Sequence, residues 1–499
     1  MPFLGKMSGS ARAKAPTYER YITGPVERFD ERDNVFARAD LFRYFGEGSE
    51  ERRRYYAEHP ELRAYDERTA GLPGLGRFAG AHEWAYAIPF EFCRDIASER
   101  FVDGEPSDTR AEVTPEEAAR LVRRRGRELG ADLVGAGPLK ESWVYSRVGR
   151  SFGNAPGFEP WGKPVDLSRH QHAVTMAFRM DHDLTRAAPE FPTVVATALA
   201  YAASAWVAVR LASYIRSLGY SARAHHVYNY RVLVVPVAVD CGLGELSRAG
   251  FLLTREFGLG QRLSVVTTEL PLAHDEPIDI GVRSFCERCL ICAENCPSGA
   301  IPLGDRTEHI GVMKWKLDAE KCYRYWHAVG TDCAICMSTC PWTRPHTWLH
   351  RAMSRLAAVS GPHQTLMVWG AKLLYGGARR PASRRAPGME SLRPTRLDAH
   401  MRAMGVALCA LLALAVWAAV DVARTGTISL GGAIPPGAAI QLGAASDALW
   451  WTWAGWTLLG VAVAWTFAAE REPRASLLSA LFFGVLSALG VLALFAVAS

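Results

Sequence analysis

Eight of the chain's eleven cysteines fall between Cys286 and Cys340, in two runs that end alike. The first run is Cys286-x2-Cys289-x2-Cys292-x3-Cys296-Pro297. Three thiolates on so tight a loop reach three irons of one cubane. The fourth is carried away by the turn before the proline and ligates a neighbouring cluster. The second run, Cys322-x10-Cys333-x2-Cys336-x3-Cys340-Pro341, is the same device with its first cysteine moved upstream. Crossing the fourth ligands predicts one [4Fe-4S] cluster on Cys286, Cys289, Cys292 and Cys340, and a second on Cys322, Cys333, Cys336 and Cys296. CxxC pairs also bind zinc, but two CxxxCP endings with eight thiolates suit two cubanes better. Cys93, Cys241 and Cys409 lie outside the runs and read as small packing residues.

Two clusters carry electrons but perform no bond chemistry by themselves, and more than 280 residues precede them. A further cofactor or catalytic site is therefore expected in the N-terminal part. The 499 residues allow several domains. The net charge of +6 is local, because Lys372 to Arg402 holds eight Lys/Arg against Glu390 and Asp398. The rest is near neutral, which argues against a nucleic-acid partner.

Residues 1–110 are polar and rich in Arg and Glu, with no clear fold signal. Thr114-Pro115-Glu116-Glu117 is a helix start: Thr114 caps, Pro115 fits the first helical position and Glu117 completes a capping box. The helix should run to about Gly130, and ADLVGAGPL after it reads as a strand. Phe191–Val209 carries no charge, but its period continues through Leu211, Tyr214, Ile215 and Leu218 to Gly219. A buried core helix is the better reading than a membrane span. Arg231–Asp240 reads as a buried strand with Pro236 at an edge or bulge, and CGLGELSRAG as a glycine-punctuated loop.

After Cys340 the chain turns basic and Pro-rich, as a linker would. Three uncharged apolar stretches follow: Met404–Val420, Leu449–Ala469 and Ala475–Ser499, of 17, 21 and 25 residues. About 20 residues cross a bilayer core, and Trp450, Trp451, Trp453 and Trp456 sit where an interfacial belt would. Three transmembrane helices are expected, with membrane lipid as a partner. The first 21 residues contain neither an apolar signal core nor a twin arginine, so no cleaved export signal is expected.

From about Tyr201 to His350 the sequence resembles the reductive dehalogenases, a family of corrinoid iron–sulfur enzymes. The resemblance rests on SYIRSLGYSA (213–222), VPVAVDCGLGELSRAGFLLTREFG (235–258), RLSVVTTELPLAHDEPIDIGVRSFCERCLICAENCPSGAI (262–301) and CYRYWHAVGTDCAICMSTCPWTRP (322–345). It implies a base-off cobamide between an N-terminal region and a nitroreductase-like α/β core, whose Co(I) acts on the carbon–halogen bond of an organohalide. It also implies that a Tyr supplies the proton while an Arg stabilises its anion. By position Tyr201 matches that Tyr, Asn229 its polar partner, and Arg262, in FG-x-x-x-R, the Arg. A Tyr of pKa about 10 is a poor proton donor at neutral pH without such a cation. The resemblance places Gly242, Gly244 and Glu245 beside the corrinoid. Read without the resemblance, Tyr201 is a core aromatic on an apolar helix, Arg262 a surface or salt-bridge residue and GLGE a tight turn, and Tyr228 and Tyr230 flank Asn229. No DxHxxG motif is present, so no protein His is expected under the cobalt.

The rival enzyme reading is an epoxyqueuosine reductase-like corrinoid enzyme, whose GLGWxGK-type loop differs from GLGELSRAG. A membrane electron-transfer subunit without substrate chemistry is a third. The architecture expected is α+β: an N-terminal region (1–110), a nitroreductase-like corrinoid-binding core (111–275), a two-[4Fe-4S] ferredoxin-like domain (276–350), a basic linker (351–403) and three membrane helices (404–499). Electrons would come from a donor such as a quinol or a ferredoxin. The Arg-rich flank before the first apolar stretch, against a lone Arg424 in the next loop, predicts an inner-membrane protein with its catalytic domain facing the cytoplasm.

Overall fold

The computed structural model describes residues 13–375, apart from 78, 82–84, 86, 345–347 and 360. The three apolar stretches and Cys409 lie outside the described residues.

The frame is a four-stranded antiparallel sheet, ordered β1-β2-β6-β3. Its strands are β1 (Leu133–Pro138), β2 (His172–Arg179), β3 (Ala222–His225) and β6 (Gln261–Thr268). Two short hairpins, β4 (Glu245–Leu246) with β5 (Leu252–Leu253) and β7 (Thr307–His309) with β8 (Val312–Lys314), stand outside it. Strand side chains alternate between faces, and the sheet uses both. Val174, Met176 and Phe178 of β2 point into one core with Val266 and the helix Pro192–Ser217. Ala173 and Ala177 point into another with Val237, Ala238 and Trp143. Mixed helix and sheet is thus what the cysteine-bearing segments are built onto.

The Pro192–Ser217 helix begins with proline in its first turn and is rich in Ala. Both favour the helix. Among the described residues it alone is long and apolar enough to cross a membrane, and two thirds of its most apolar window is buried inside the protein. Leu211 and Ile215 are wholly buried, each contributing ~1.5–3 kcal/mol. The capping box at Thr114 forms as expected and starts Pro115–Glu128, which lies against the same core.

Two expectations need correction. Arg231–Asp240 is not a strand: Val234–Asp240 is helical. Pro236 is third in that helix, where its missing N–H would have had no partner anyway. Apolar periodicity alone does not separate strand from helix in so short a run. The expected linker is also shorter, because Trp348–Val359 and Gly361–Tyr375 are helices. The N-terminal region, opaque in sequence, is helical over Val35–Tyr44, Glu50–Glu58 and Pro60–Ala70. Buried Arg38 pairs with Asp66 at 3.1 Å and with Glu320 at 3.2 Å, tying this region to the helix Ala319–Val329 that carries Cys322.

Candidate functional site

Each cysteine run is bent by a left-handed residue inside its CxxC pair. Leu290, at φ 55°, separates Cys289 from Cys292, and Ala334, at φ 51°, separates Cys333 from Cys336. Non-glycine residues hold this conformation at a cost of ~1–3 kcal/mol. That the same break recurs at the equivalent place in both runs marks it as part of the ligand loop. A cavity is lined by Cys286, Cys289, Cys292 and Cys340, the first of the two predicted ligand sets. Cys296, Cys322, Cys333 and Cys336 act electrostatically on one another, as the second set requires.

Burial raises the pKa of Cys286, and pushes those of Cys322 and Cys333 up to about 12. Without metal these thiols stay protonated, so iron must displace protons to bind. Among the described residues no three Cys, His, Asp or Glu side chains converge on a single ion. Four thiolates on one tetrahedral zinc stand closer together than four on separate irons of a cubane. Four thiols lining one cavity are a donor set that fits a cubane.

The GLGE loop does not face an open cradle. A Cβ on Gly242 would lie 2.6 Å from the Glu276 carbonyl oxygen, and one on Gly244 would lie 2.3 Å from that of Leu253. Both glycines are needed because the protein's own backbone fills the space beside them. Buried Glu245 accepts hydrogen bonds from the backbone N–H of Ile280 at 2.7 Å and of Val282 at 3.3 Å. It thus receives the start of Val282–Cys289, the helix bearing Cys286 and Cys289. Burial raises its pKa despite those two donors. Gly242, Gly244 and Glu245, expected beside a corrinoid, thus also brace the first cysteine run from within the protein. Glu245→Ala should orphan both N–H groups at a cost of ~1–3 kcal/mol. Iron–sulfur absorbance should then bleach at a lower temperature than in the unaltered protein. An unchanged bleaching midpoint would remove the assigned role.

Tyr201 and Arg262 are brought together. The Arg262 guanidinium lies over the Tyr201 ring, 5.0 Å from its centroid. Register places Arg262 opposite Phe178 and Ser264 opposite Met176, on the face packed by the long helix. Arg262 donates to Thr197 Oγ1 at 2.7 Å, contacts Met337 Sδ at 3.8 Å and lies 3.7 Å from Asp332. Thr193 donates to the other Asp332 oxygen at 2.6 Å, and Thr197 donates to the same carboxylate. Asp332 immediately precedes Cys333, so a continuous polar path joins the second ligand set to Tyr201. Arg262 Nε and Ser264 Oγ are buried and have no hydrogen-bond partner among the described residues. Such groups are ready to receive a polar ligand.

Asn229 is not brought to this pair. Its amide donates to Ala97 O at 2.7 Å and Glu99 Oε1 at 3.0 Å, and its oxygen accepts from Arg223 at 3.1 Å. Those bonds give it a structural place in a buried ion network. Tyr230 donates to Leu263 O at 3.0 Å, and burial raises its pKa well above the ordinary value. Tyr228 sits at φ 79°, its pKa raised by burial to about 12. Thr193, Thr197 and Asp332 escaped the sequence reading. A signal was present: Thr193, Thr197 and Tyr201 recur every fourth residue on an otherwise apolar helix, which sets them on one face.

Fold and ligand loops together mark an iron–sulfur protein on an antiparallel α+β core. A 4Fe-4S dicluster domain matches residues 285–343. Tetrachloroethene reductive dehalogenase of Dehalobacter restrictus is 33% identical over 275 residues, covering 47% of this chain and 50% of that protein. The enzyme of the same name from Sulfurospirillum multivorans is 31% identical over 306 residues, covering 56% and 60%. The catabolic reductive dehalogenase NpRdhA, in complex with 3-bromo-4-hydroxybenzoic acid, superposes with a TM-score of 0.58 at 25% identity, covering 73% of this chain and 49% of that one. The chain spans about half the length of the curated relatives it matches, and over that part it is similar to the reductive dehalogenases.

Proposed function

We propose that the chain is a reductive dehalogenase that removes halide from an organohalide, with a cobamide at its centre and two [4Fe-4S] clusters relaying electrons. The relatives named above are oxidoreductases of that activity. The observation that carries the reading is Arg262 over the Tyr201 ring, joined through Thr197 and Asp332 to the loop of Cys333. Electron delivery and proton delivery would thus meet in one place.

The orphaned Arg262 Nε and Ser264 Oγ fit a polar group from outside the chain. Tyr201, Arg262 and Ser264 are the residues we assign to face the cobamide and its substrate. A cobamide held there would supply a low-valent cobalt able to react at the carbon–halogen bond, with the electrons delivered through the clusters. Tyr201 supplies the proton to the dehalogenated carbon from its hydroxyl. The negative charge then left on its oxygen develops beside the guanidinium, which Thr197 and Asp332 hold in place. The half-buried setting limits water around that pair.

The test is anaerobic production with cobamide, followed by measurement of halide released under a strong one-electron reductant. Release should require cobamide. A protein holding both clusters and cobamide that releases no halide from chlorinated ethenes or brominated phenols would overturn the reading.

We further propose anchoring by the three apolar stretches, Met404–Val420, Leu449–Ala469 and Ala475–Ser499, with the catalytic domain facing the cytoplasm. The support is the Lys/Arg asymmetry about the first stretch. Three spans put the two chain ends on opposite sides. A phosphatase fused after Ser499, active only in the periplasm, should therefore be active. A silent phosphatase with a fluorescent cytoplasmic reporter at the same site would reverse the orientation.

A further inference from the structure

Arg248 follows the GLGE motif and lines the same cavity as Cys286, Cys289, Cys292 and Cys340. It is 4% exposed. Its Nε donates to the Cys286 carbonyl at 3.1 Å, and Nη1 donates to the carbonyls of Pro302 at 2.8 Å and Gly304 at 2.9 Å. All three acceptors are neutral. A buried guanidinium without a hydrogen-bonded carboxylate is expensive; Asp305 acts on it through the field only, and less than Cys286 and Cys292 do. The cavity supplies the partner its charge needs. Four thiolates on a [4Fe-4S] core are doubly negative when oxidised and triply negative when reduced.

The guanidinium is also held from behind. It lies over the Trp315 ring at 4.3 Å, and Arg306 lies over the same ring at 4.1 Å. Arg306 in turn lies over Tyr21 at 4.6 Å, and Arg283 over Tyr21 at 3.8 Å. Three cations alternating with two aromatic rings form a rigid stack that ends at the cluster cavity. Glu287 pairs with Arg306 at 2.7 Å and offsets the middle of the stack rather than its tip. Arg344 adds a further positive charge acting on Cys340.

The second ligand set has the opposite surroundings. Asp318 and Asp332 are the charged groups that act on Cys322, and Asp332 acts on Cys333. Lys321 at 3.0 Å and Arg262 at 3.7 Å offset them in part. A cation beside a cluster favours the state with the extra electron, and an anion disfavours it.

We propose that Arg248 tunes the cluster on Cys286, Cys289, Cys292 and Cys340, making it the more readily reduced of the two. The step is a one-electron reduction of the cluster in which no bond is made or broken and no proton moves. Arg248 is a positioning residue here, acting through the field at the cluster. The inference rests on the dicluster domain and not on dehalogenation, so its test stands whichever way the activity assay falls.

The experiment is a redox titration of the full-length, anaerobically purified protein, followed by electron paramagnetic resonance. The unaltered protein should show two separated midpoints. Arg248→Met should lower the higher one by at least tenfold in the reduction equilibrium, or ~59 mV for one electron, with iron content unchanged. Arg248→Lys, which keeps the charge but not the three carbonyl bonds, should retain most of the separation. Arg248→Met with both clusters present and the higher midpoint unmoved would overturn the proposal. If Arg248→Met fails to hold its cluster, Arg306→Gln decides: one ring further out, it should lower the same midpoint by a smaller step, and an unmoved midpoint there overturns the proposal as well.

Discussion

Tyr201→Phe is expected to keep both clusters and bound cobamide while lowering dehalogenation by ~10²–10⁴-fold, the usual effect of losing a positioned general acid. The substitution removes one oxygen and leaves the ring under the Arg262 guanidinium, so the packing of the long helix should survive. Halide release measures the loss, while iron content and cobamide absorbance show that nothing else was lost. The neighbouring tyrosines provide the contrast. The Tyr230 hydroxyl is committed to the Leu263 carbonyl, and burial keeps the Tyr228 phenol protonated up to about pH 12. Normal turnover by Tyr201→Phe together with an inactive Tyr228→Phe would move the proton site to the loop that precedes Asn229.

Cysteine replacement should halve the metal. Cys286→Ala and Cys333→Ala should each lose about half the iron and half the sulfide, because each removes a ligand from a different cubane. Cys340→Ala gives the sharper result. It belongs to the second run in sequence but shares a cavity with Cys286, Cys289 and Cys292. Its resonance spectrum should therefore lose the signal that Cys286→Ala loses and keep the one that Cys333→Ala loses. If Cys340→Ala instead matches Cys333→Ala, the ligands do not cross. Unchanged iron in Cys286→Ala or Cys333→Ala would remove the cluster assignment altogether.

The legible parts of the sequence were those in which chemistry or backbone geometry fixes spacing. Thiolates must meet irons at set intervals, so the cysteine runs read directly. The capping box at Thr114 was equally plain, since each of its two bonds needs one residue type at one offset. The long helix was readable from its period. Where a decision rests on tertiary partners, the reading faltered. Val234–Asp240 has an apolar run that serves strand or helix alike, and the sheet and its own hydrogen bonds decide between them. The resemblance places Glu245 in a cofactor loop, and nothing local announces its hydrogen-bond partners, Ile280 and Val282, which lie well downstream. By position Asn229 matches the polar partner of the proton-donating Tyr, yet Arg223, Ala97 and Glu99 claim its amide. Asp332 was invisible for a related reason. Nothing local marks the residue before a ligand cysteine as the partner of two threonines on another helix.

Asp332 and Glu245 also bear on how such proteins can be rebuilt. A cut near residue 275 separates a sheet core from a metal cassette on paper. Yet Asp332 in the cassette takes its hydrogen bonds from Thr193 and Thr197 of the core, and Glu245 of the core satisfies backbone groups of the cassette. A graft of the cassette onto a foreign scaffold would bury one carboxylate without its donors and leave two amides without their acceptor. Chimeras between distant relatives should therefore be more stable when the two threonines and the glutamate travel with the cysteines.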